Sequence, residues 1–308
     1  MLKARLIVPA YNEEKNIPEF YEEAIQYLTY DDIEFDILFI NDGSKDQTLE
    51  AIKAIKEKGV PVKYLSLSRN FGKEPAMHAG LVNSADKDFI IIIDCDLQQP
   101  PSLIPEMVQH YREGYKIVYT KSKSRAGEPL LRRFFANMFY KIYNFYTERP
   151  LINGAKDYQL MDRQVVDAFL KIKDNNRFVK GIFSWVGYKR KCIEFEFIPR
   201  KHGKTTWSFY SLLRYAFNGM NQFSTILLVL PVIGFILGLG IVVADILLYV
   251  YHYYPFTTFM VSMHLSFVIL ALSLFSYVII YLVYQNRKQV LNRPVYLVEE
   301  ASEDLQVE

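Results

Sequence analysis

The chain is poor in cysteine: 308 residues contain two, Cys95 and Cys192. Two cysteines make no disulfide framework, and a reducing, cytosolic setting fits both. Net charge is also scarce, at +2, and no basic stripe is interleaved with aromatics. A nucleic-acid partner is therefore not expected. No G-x-G-x-x-G follows the first apolar segment and no Walker lysine loop is present, which argues against a dinucleotide-dependent or ATP-hydrolysing enzyme. Met1-Leu2-Lys3-Ala4-Arg5 runs straight into a strand-like segment. Without a long apolar core before a small-residue cleavage site, a signal peptide is not expected.

Apolar residues are abundant, at 51%, with 15% aromatic, enough for one or two packed domains. They are unevenly spread. The chain is charged and globular up to about Arg214 and lipid-like beyond Phe223.

In the globular part, strand and helix alternate. Strand patterns cover Leu2–Pro9, Phe35–Ile40, Val62–Leu67, Phe89–Ile93 and Ile117–Thr120. Helices are expected after the first strand to about Thr29, from Asp46 to Lys58, up to about Ser84, and from Pro101 to Glu113. The alternation predicts an α/β fold with a doubly wound, mainly parallel sheet. Ligands bind such sheets beyond the carboxyl ends of the strands. There the chain places Asn12 and Glu13, Asp42, Arg69 and Asn70, and Asp94 and Asp96. Strand alternation predicts Asp94 and Asp96 on one side. Two carboxylates that close call for a cation between them, and a hard divalent ion carried by a diphosphate suits them. Alone, an Asp-x-Asp equally well ends a strand and caps a helix.

Four motifs in order narrow the reading: Pro9-Ala10-Tyr11-Asn12-Glu13-Glu14, Asn41-Asp42-Gly43-Ser44, Ser68-Arg69-Asn70-Phe71-Gly72-Lys73 and Asp94-Cys95-Asp96-Leu97-Gln98-Gln99-Pro100-Pro101. Together they resemble the family 2 glycosyltransferases, and within them the polyprenyl-phosphate glycosyltransferases, over nearly the whole chain. The resemblance implies the GT-A fold, a nucleotide-sugar donor, Mg²⁺ or Mn²⁺, and inversion at the anomeric carbon. It assigns Pro9, Tyr11, Glu13, Asp42, Lys73 and Asp94 to the donor nucleotide, and Asp96 with Gln98 to the metal. Relatives often carry Asp or His at the position of Gln99, which is left out of the ligand set. Ala155-Lys156-Asp157-Tyr158-Gln159 matches the acceptor-side motif, with Asp157 at the position of the catalytic base. A lipid monophosphate has a second pKa near ~6 and is largely dianionic at neutral pH, so orienting the acceptor is an alternative role. Arg177-Phe178-Val179-Lys180-Gly181 and Trp185-Val186-Gly187 continue the family pattern. No Gln-x-x-Arg-Trp follows, which disfavours polymer synthesis.

Thr120–Glu128 is a basic, small-residue loop, either solvated or a flap whose Arg125 meets phosphate as part of catalysis. Leu131, Phe134, Phe135, Met138, Ile142 and Phe145 follow helical spacing, flanked by Arg132, Arg133 and Lys141. That stripe fits a core helix or one lying on the membrane. Arg200-Lys201-His202-Gly203-Lys204-Thr205 fits a phosphate cradle, with Arg200, Lys204 and Thr205 as acceptor-phosphate ligands beside Arg125, or a basic membrane-proximal linker.

The expected organisation is a cytosolic catalytic domain over 1–203, an interfacial helix over 204–223, two membrane helices within 224–285 and a cytosolic tail over 286–308. The two apolar stretches, Ser224–Tyr249 and Phe259–Tyr284, each exceed the ~20 residues that cross a bilayer. Lys and Arg crowd both outer flanks and are absent from the Tyr251–Pro255 connection, so catalytic domain and tail fall in the cytosol. The tail from Glu299 to Glu308 reads as acidic and disordered. The expected function is sugar transfer from a UDP-sugar, glucose or an N-acetylhexosamine, to undecaprenyl phosphate in the plasma membrane. A homo-oligomer, a separate flippase and a downstream glycosyltransferase are the expected partners. Rival readings are a non-lipid acceptor and a catalytically silent membrane scaffold.

Overall fold

The computed structural model describes residues 1–123, 130–147, 150–172, 178–196, 198–199, 257–291, 293–302 and 305, with short pieces between 216 and 247. The strands are β1 (Leu2–Ala10), β2 (Ile33–Asn41), β3 (Val62–Leu67), β4 (Phe89–Ile92), β5 (Ile117–Ser122), β6 (Ala155–Asp162), β7 (Arg190–Phe195) and β8 (Val298–Ala301). The helices are α1 (Asn16–Ala24), α2 (Thr48–Lys53), α3 (Lys73–Val82), α4 (Ile104–Arg112), α5 (Leu130–Phe145), α6 (Arg163–Leu170), α7 (Val179–Trp185) and α8 (Thr257–Val290).

All eight strands form one sheet, ordered β7-β5-β6-β4-β1-β2-β3-β8. The β1–β2, β1–β4, β2–β3 and β5–β7 pairs are parallel. The β4–β6, β5–β6 and β3–β8 pairs are antiparallel. The expected mainly parallel, doubly wound sheet is present, with β6 inserted against the grain at its centre. Strand order reverses between β1 and β4, and that switch point opens the crevice.

Apolar side chains of β1, β2 and β4 are buried on both faces, as continuous Val/Ile/Leu runs require. One face packs on Ile17 and Phe20 of α1 and on Ile104, Met107 and Val108 of α4. The other packs on Ala76 and Met77 of α3, Val165 and Phe169 of α6, and Ile182 of α7. Below the crevice lies a buried charge cluster. The parallel register sets Arg5 opposite Asp36. The guanidinium donates to both carboxylate oxygens at 2.6 and 2.7 Å, and Lys87 adds an ion pair at 2.9 Å. Arg5 spends its remaining reach on the Asn83 carbonyl.

Two expectations change here. The tail is ordered in part: β8 pairs with β3, Tyr64 donates to Glu300 at 2.7 Å, and Tyr296 packs against His78 of α3. An open edge of the sheet presents unpaired amides, and the tail meets them despite its acidity. The stripe on α5 does not form a core face, one of its two expected placements. Phe134, Phe135, Met138 and Phe145 are exposed, while Phe139, Tyr140 and Tyr143 pack with Leu151 and Phe178. The second apolar stretch forms α8, whose Phe267–Tyr284 segment is apolar and long enough to cross a bilayer, and its side chains face outward. Most of the first stretch and of the expected interfacial helix lies outside the described residues.

Candidate active site

Register assembles the site. Ile92 of β4 pairs with Gln159 of antiparallel β6. Two residues further along each chain, Asp94 and Asp157 come to the same place from opposite directions. Between them stands Lys73, the first residue of α3, whose Nζ lies 2.7 Å from Asp157 and 2.7 Å from Asp94. All three side chains are about three-quarters buried, each at 25% exposure.

The loop before Lys73 is fixed from below. Asp42, at the end of β2, accepts from the amides of Phe71 at 2.7 Å and Gly72 at 2.9 Å. Burial raises its pKa despite those bonds. Asp42 is 3% exposed, so it shapes the loop that carries Lys73. Gly43, at φ 59°, packs against Arg69 and Asn70, and a Cβ there would collide with their backbone. The loops after β1 and β2 interlock: Asn12 N donates to Ser44 Oγ at 3.0 Å, and Glu13 N to Thr48 Oγ1 at 2.8 Å. The Glu13 carboxylate accepts from Asn16, and Pro9 and Tyr11 are half-buried on the same rim.

Beyond Ile92 the strand ends, so its alternation does not carry to Asp96 as the sequence suggests. Asp94, Cys95 and Asp96 sit in a turn, Leu97 takes φ 56°, and Asp96 accepts from the Gln98 amide at 3.1 Å. Asp96 is 5% exposed. Gln99 donates to Asp94 at 3.1 Å, and its amide oxygen is buried without a partner among the described residues. No cluster of three His, Cys, Asp or Glu side chains suited to a metal occurs among the described residues. The chemistry of the donor set nevertheless fits a hard divalent cation. Two carboxylates and an orphaned amide oxygen converge, and a diphosphate completes such a shell.

The electrostatics separate the two carboxylates. Burial pushes Asp157 up, but Lys73 and then Lys180 hold it well below the usual carboxylate range. Burial raises Asp94, against the pull of Lys73 and helped by Asp96 and Asp157. Burial also opposes the charge on Lys73, yet Asp157 and Asp94 outweigh it and hold that ammonium well above its ordinary value. Asp157 is thus a stable anion and Lys73 a stable cation.

The structure brings together Lys73, Asp94 and Asp157 in direct contact, with Asp96, Gln98 and Asp42 around them. Arg125, Arg200, Lys204 and Thr205 lie outside the described residues. Sequence reasoning missed Lys180 as a site residue and missed the Gln99 contact with Asp94. The Arg177–Gly181 motif was the available signal for the first.

The family model for glycosyl transferase family 2 matches residues 6–170. An uncharacterized glycosyltransferase of Synechocystis sp. is 40% identical over 223 residues, 72% of this chain and 70% of its own. A prophage bactoprenol glucosyl transferase homolog of Escherichia coli is 39% identical over 224 residues, 73% of each chain. The bactoprenol glucosyl transferase of Shigella phage SfV is 38% identical over the same length, again 73% of each. With β1 through α6 carrying every one of the motifs above that the family match spans, this chain belongs to glycosyl transferase family 2.

Proposed function

We propose that the chain transfers a hexose, glucose first among candidates, from a nucleotide-sugar to a polyprenyl phosphate. The convergence of Asp94, Lys73 and Asp157 at the switch point carries the reading. The relatives named as bactoprenol glucosyl transferases support the acceptor and the sugar. A phosphate oxygen of the lipid attacks the anomeric carbon as the bond from that carbon to the nucleoside diphosphate breaks, with inversion. The acceptor is already dianionic near neutral pH. Asp157, held ionised, therefore serves to fix Lys73 and orient the acceptor rather than to remove a proton. Lys73 offers its positive charge where donor and acceptor phosphates meet. Pro9, Tyr11 and Glu13 line the donor side. Asp96, Asp94 and an amide oxygen of Gln98 or Gln99 would hold Mg²⁺ or Mn²⁺, which neutralises charge developing on the leaving diphosphate. Arg125, Arg200, Lys204 and Thr205 supply further phosphate contacts in this reading.

Membrane attachment follows the same logic. β7 and β8 belong to one sheet, and α8 lies between them in sequence. If α8 crosses the bilayer, the chain must cross once more between β7 and α8 to return β8 to the same side. That supports a two-helix hairpin, with the first crossing near Ser224–Tyr249 and the sheet and tail both cytosolic. A hairpin of this size leaves export of the product to a separate flippase.

The test is a donor panel in detergent: UDP- and GDP-sugars, undecaprenyl phosphate, Mg²⁺ or Mn²⁺, with nucleoside diphosphate release as readout. Release that needs lipid and metal, and is lost in Asp96→Asn, is the expected result. Release without lipid dependence would transfer the reading to a soluble acceptor.

A further inference from the structure

Asp157 also lines a cleft to which neither Lys73 nor Asp94 contributes. The cleft is partly open, with a cavity volume of about 60 Å³, beneath α5 and α7 and against β5, β6 and β7. Its polar lining includes Lys156, Asp157, Lys180 and Arg190, three cations to one carboxylate. That carboxylate is already paired with Lys73 at 2.7 Å. Leu151, Ile152 and Phe183 give the wall an apolar side.

Lys180 is the unusual group. Its half-buried ammonium makes one hydrogen bond among the described residues, to the Ala155 carbonyl at 3.4 Å. An ammonium carries three donors, and among the described residues one is used, while the side chain lines the cleft. Burial opposes its charge, and Asp157 leads the groups that keep it protonated. A permanent cation in a half-buried cleft with an apolar wall is suited to an anion bearing an apolar chain.

We infer that Lys180 binds the phosphate of the acceptor, seating a phosphomonoester dianion in this cleft, with the first apolar units of its chain against Leu151, Ile152 and Phe183. This rests on the lipid-phosphate reading above and adds a contact to it. The order Asp94, Lys73, Asp157, Lys180 then alternates charge across the reaction path. Donor diphosphate lies at one end and acceptor phosphate at the other. Asp157 keeps the two cations apart and in place.

The experiment compares Lys180→Gln, which keeps the aliphatic stem, with Lys180→Arg, which keeps the charge. Steady-state kinetics are read separately for undecaprenyl phosphate and for the donor that wild type uses. Lys180→Gln is expected to raise the acceptor KM about tenfold or more, the loss of one charged hydrogen bond. Donor KM and nucleoside diphosphate binding by calorimetry stay within about twofold of wild type, and Lys180→Arg recovers most of the acceptor affinity. Farnesyl phosphate should raise the melting temperature of wild type and of Lys180→Arg but not of Lys180→Gln, and farnesol should raise none of them. An unchanged acceptor KM with reduced kcat would overturn the inference and leave Lys180 a positioning group for Asp157. A donor KM that rises instead would place the contact on the leaving diphosphate and overturn it as well. If wild type shows no lipid-dependent turnover, the underlying reading fails, a result visible before any variant is made.

Discussion

Two charge clusters sit in this sheet, and they differ in what their charges can still do. Arg5, Asp36 and Lys87, on the lower side, are 1%, 6% and 8% exposed. Their short contacts are to one another, to the Asn83 carbonyl and, from Lys87, to Asp86 at 3.0 Å. Lys73, Asp94 and Asp157, past the carboxyl end of β4 and near the start of β6, are paired at equal distances but 25% exposed, and Asp157 lines an open cleft. The lower cluster is saturated and ties strands together. The upper one keeps capacity on Gln99 and Lys180. A buried ion pair is thus no sign of a site; unspent donors and acceptors next to open volume are.

Breaking the upper cluster should hit chemistry hardest. Asp157→Ala is expected to lower kcat by at least about 10²-fold, the scale seen when one preorganised electrostatic contact to a transition state is removed. Its melting temperature should fall less than that of Asp36→Ala, measured by calorimetry. The lower cluster inverts the pattern. Asp36→Ala leaves the buried Arg5 without its anion and Lys87 with Asp86 alone, and should cost about 3–5 kcal/mol by denaturant titration. Turnover per folded molecule should be unaffected. Replacing that cluster whole, as Arg5→Met, Asp36→Leu and Lys87→Met together, should recover most of the loss, since apolar packing often matches a buried ion pair. A triple variant no more stable than Asp36→Ala would show that the cluster's geometry, and not only its charge balance, holds the strands.

The smallest effect is in pH. The folded-state pKa of Asp157 is depressed, so its ionised form adds stability that is complete above the unfolded value of about 3.9. That contribution is lost as pH falls through the lower folded value. The melting difference between wild type and Asp157→Asn should therefore be largest near neutrality and shrink below about pH 4. A difference that grows in acid would mean Lys73 does not set the ionisation of Asp157.

Much of this was legible in the sequence, for identifiable reasons. β1 to β5 are apolar runs that end in polar clusters, and all five were readable with ends displaced by a few residues. β6 was not, because Ala-Lys-Asp-Tyr-Gln-Leu-Met-Asp mixes site residues with core residues, and only Tyr158 to Asp162 are buried. β7 and β8 carry the charges that edge strands tolerate, and so resemble loops. The expected helix over Asp46–Lys58 shrinks to Thr48–Lys53. In the site, Asp94 and Asp157 could be named, but their meeting depends on an antiparallel strand that only the register reveals. Asp42 was assigned to the nucleotide, and its visible work is on the amides of Phe71 and Gly72.

The return of the chain from α8 to β8 has a consequence for synthesis. Leu65 waits for Ala301 to pair with it, and Tyr64 for Glu300 and Ser302. A ribosome delivers those partners only after the apolar helix has been made. The edge of the sheet beside β3 thus stays open while α8 is being made and closes only after it. A chain interrupted before β8 would keep that edge exposed, a ready mark for chaperones and proteases to read.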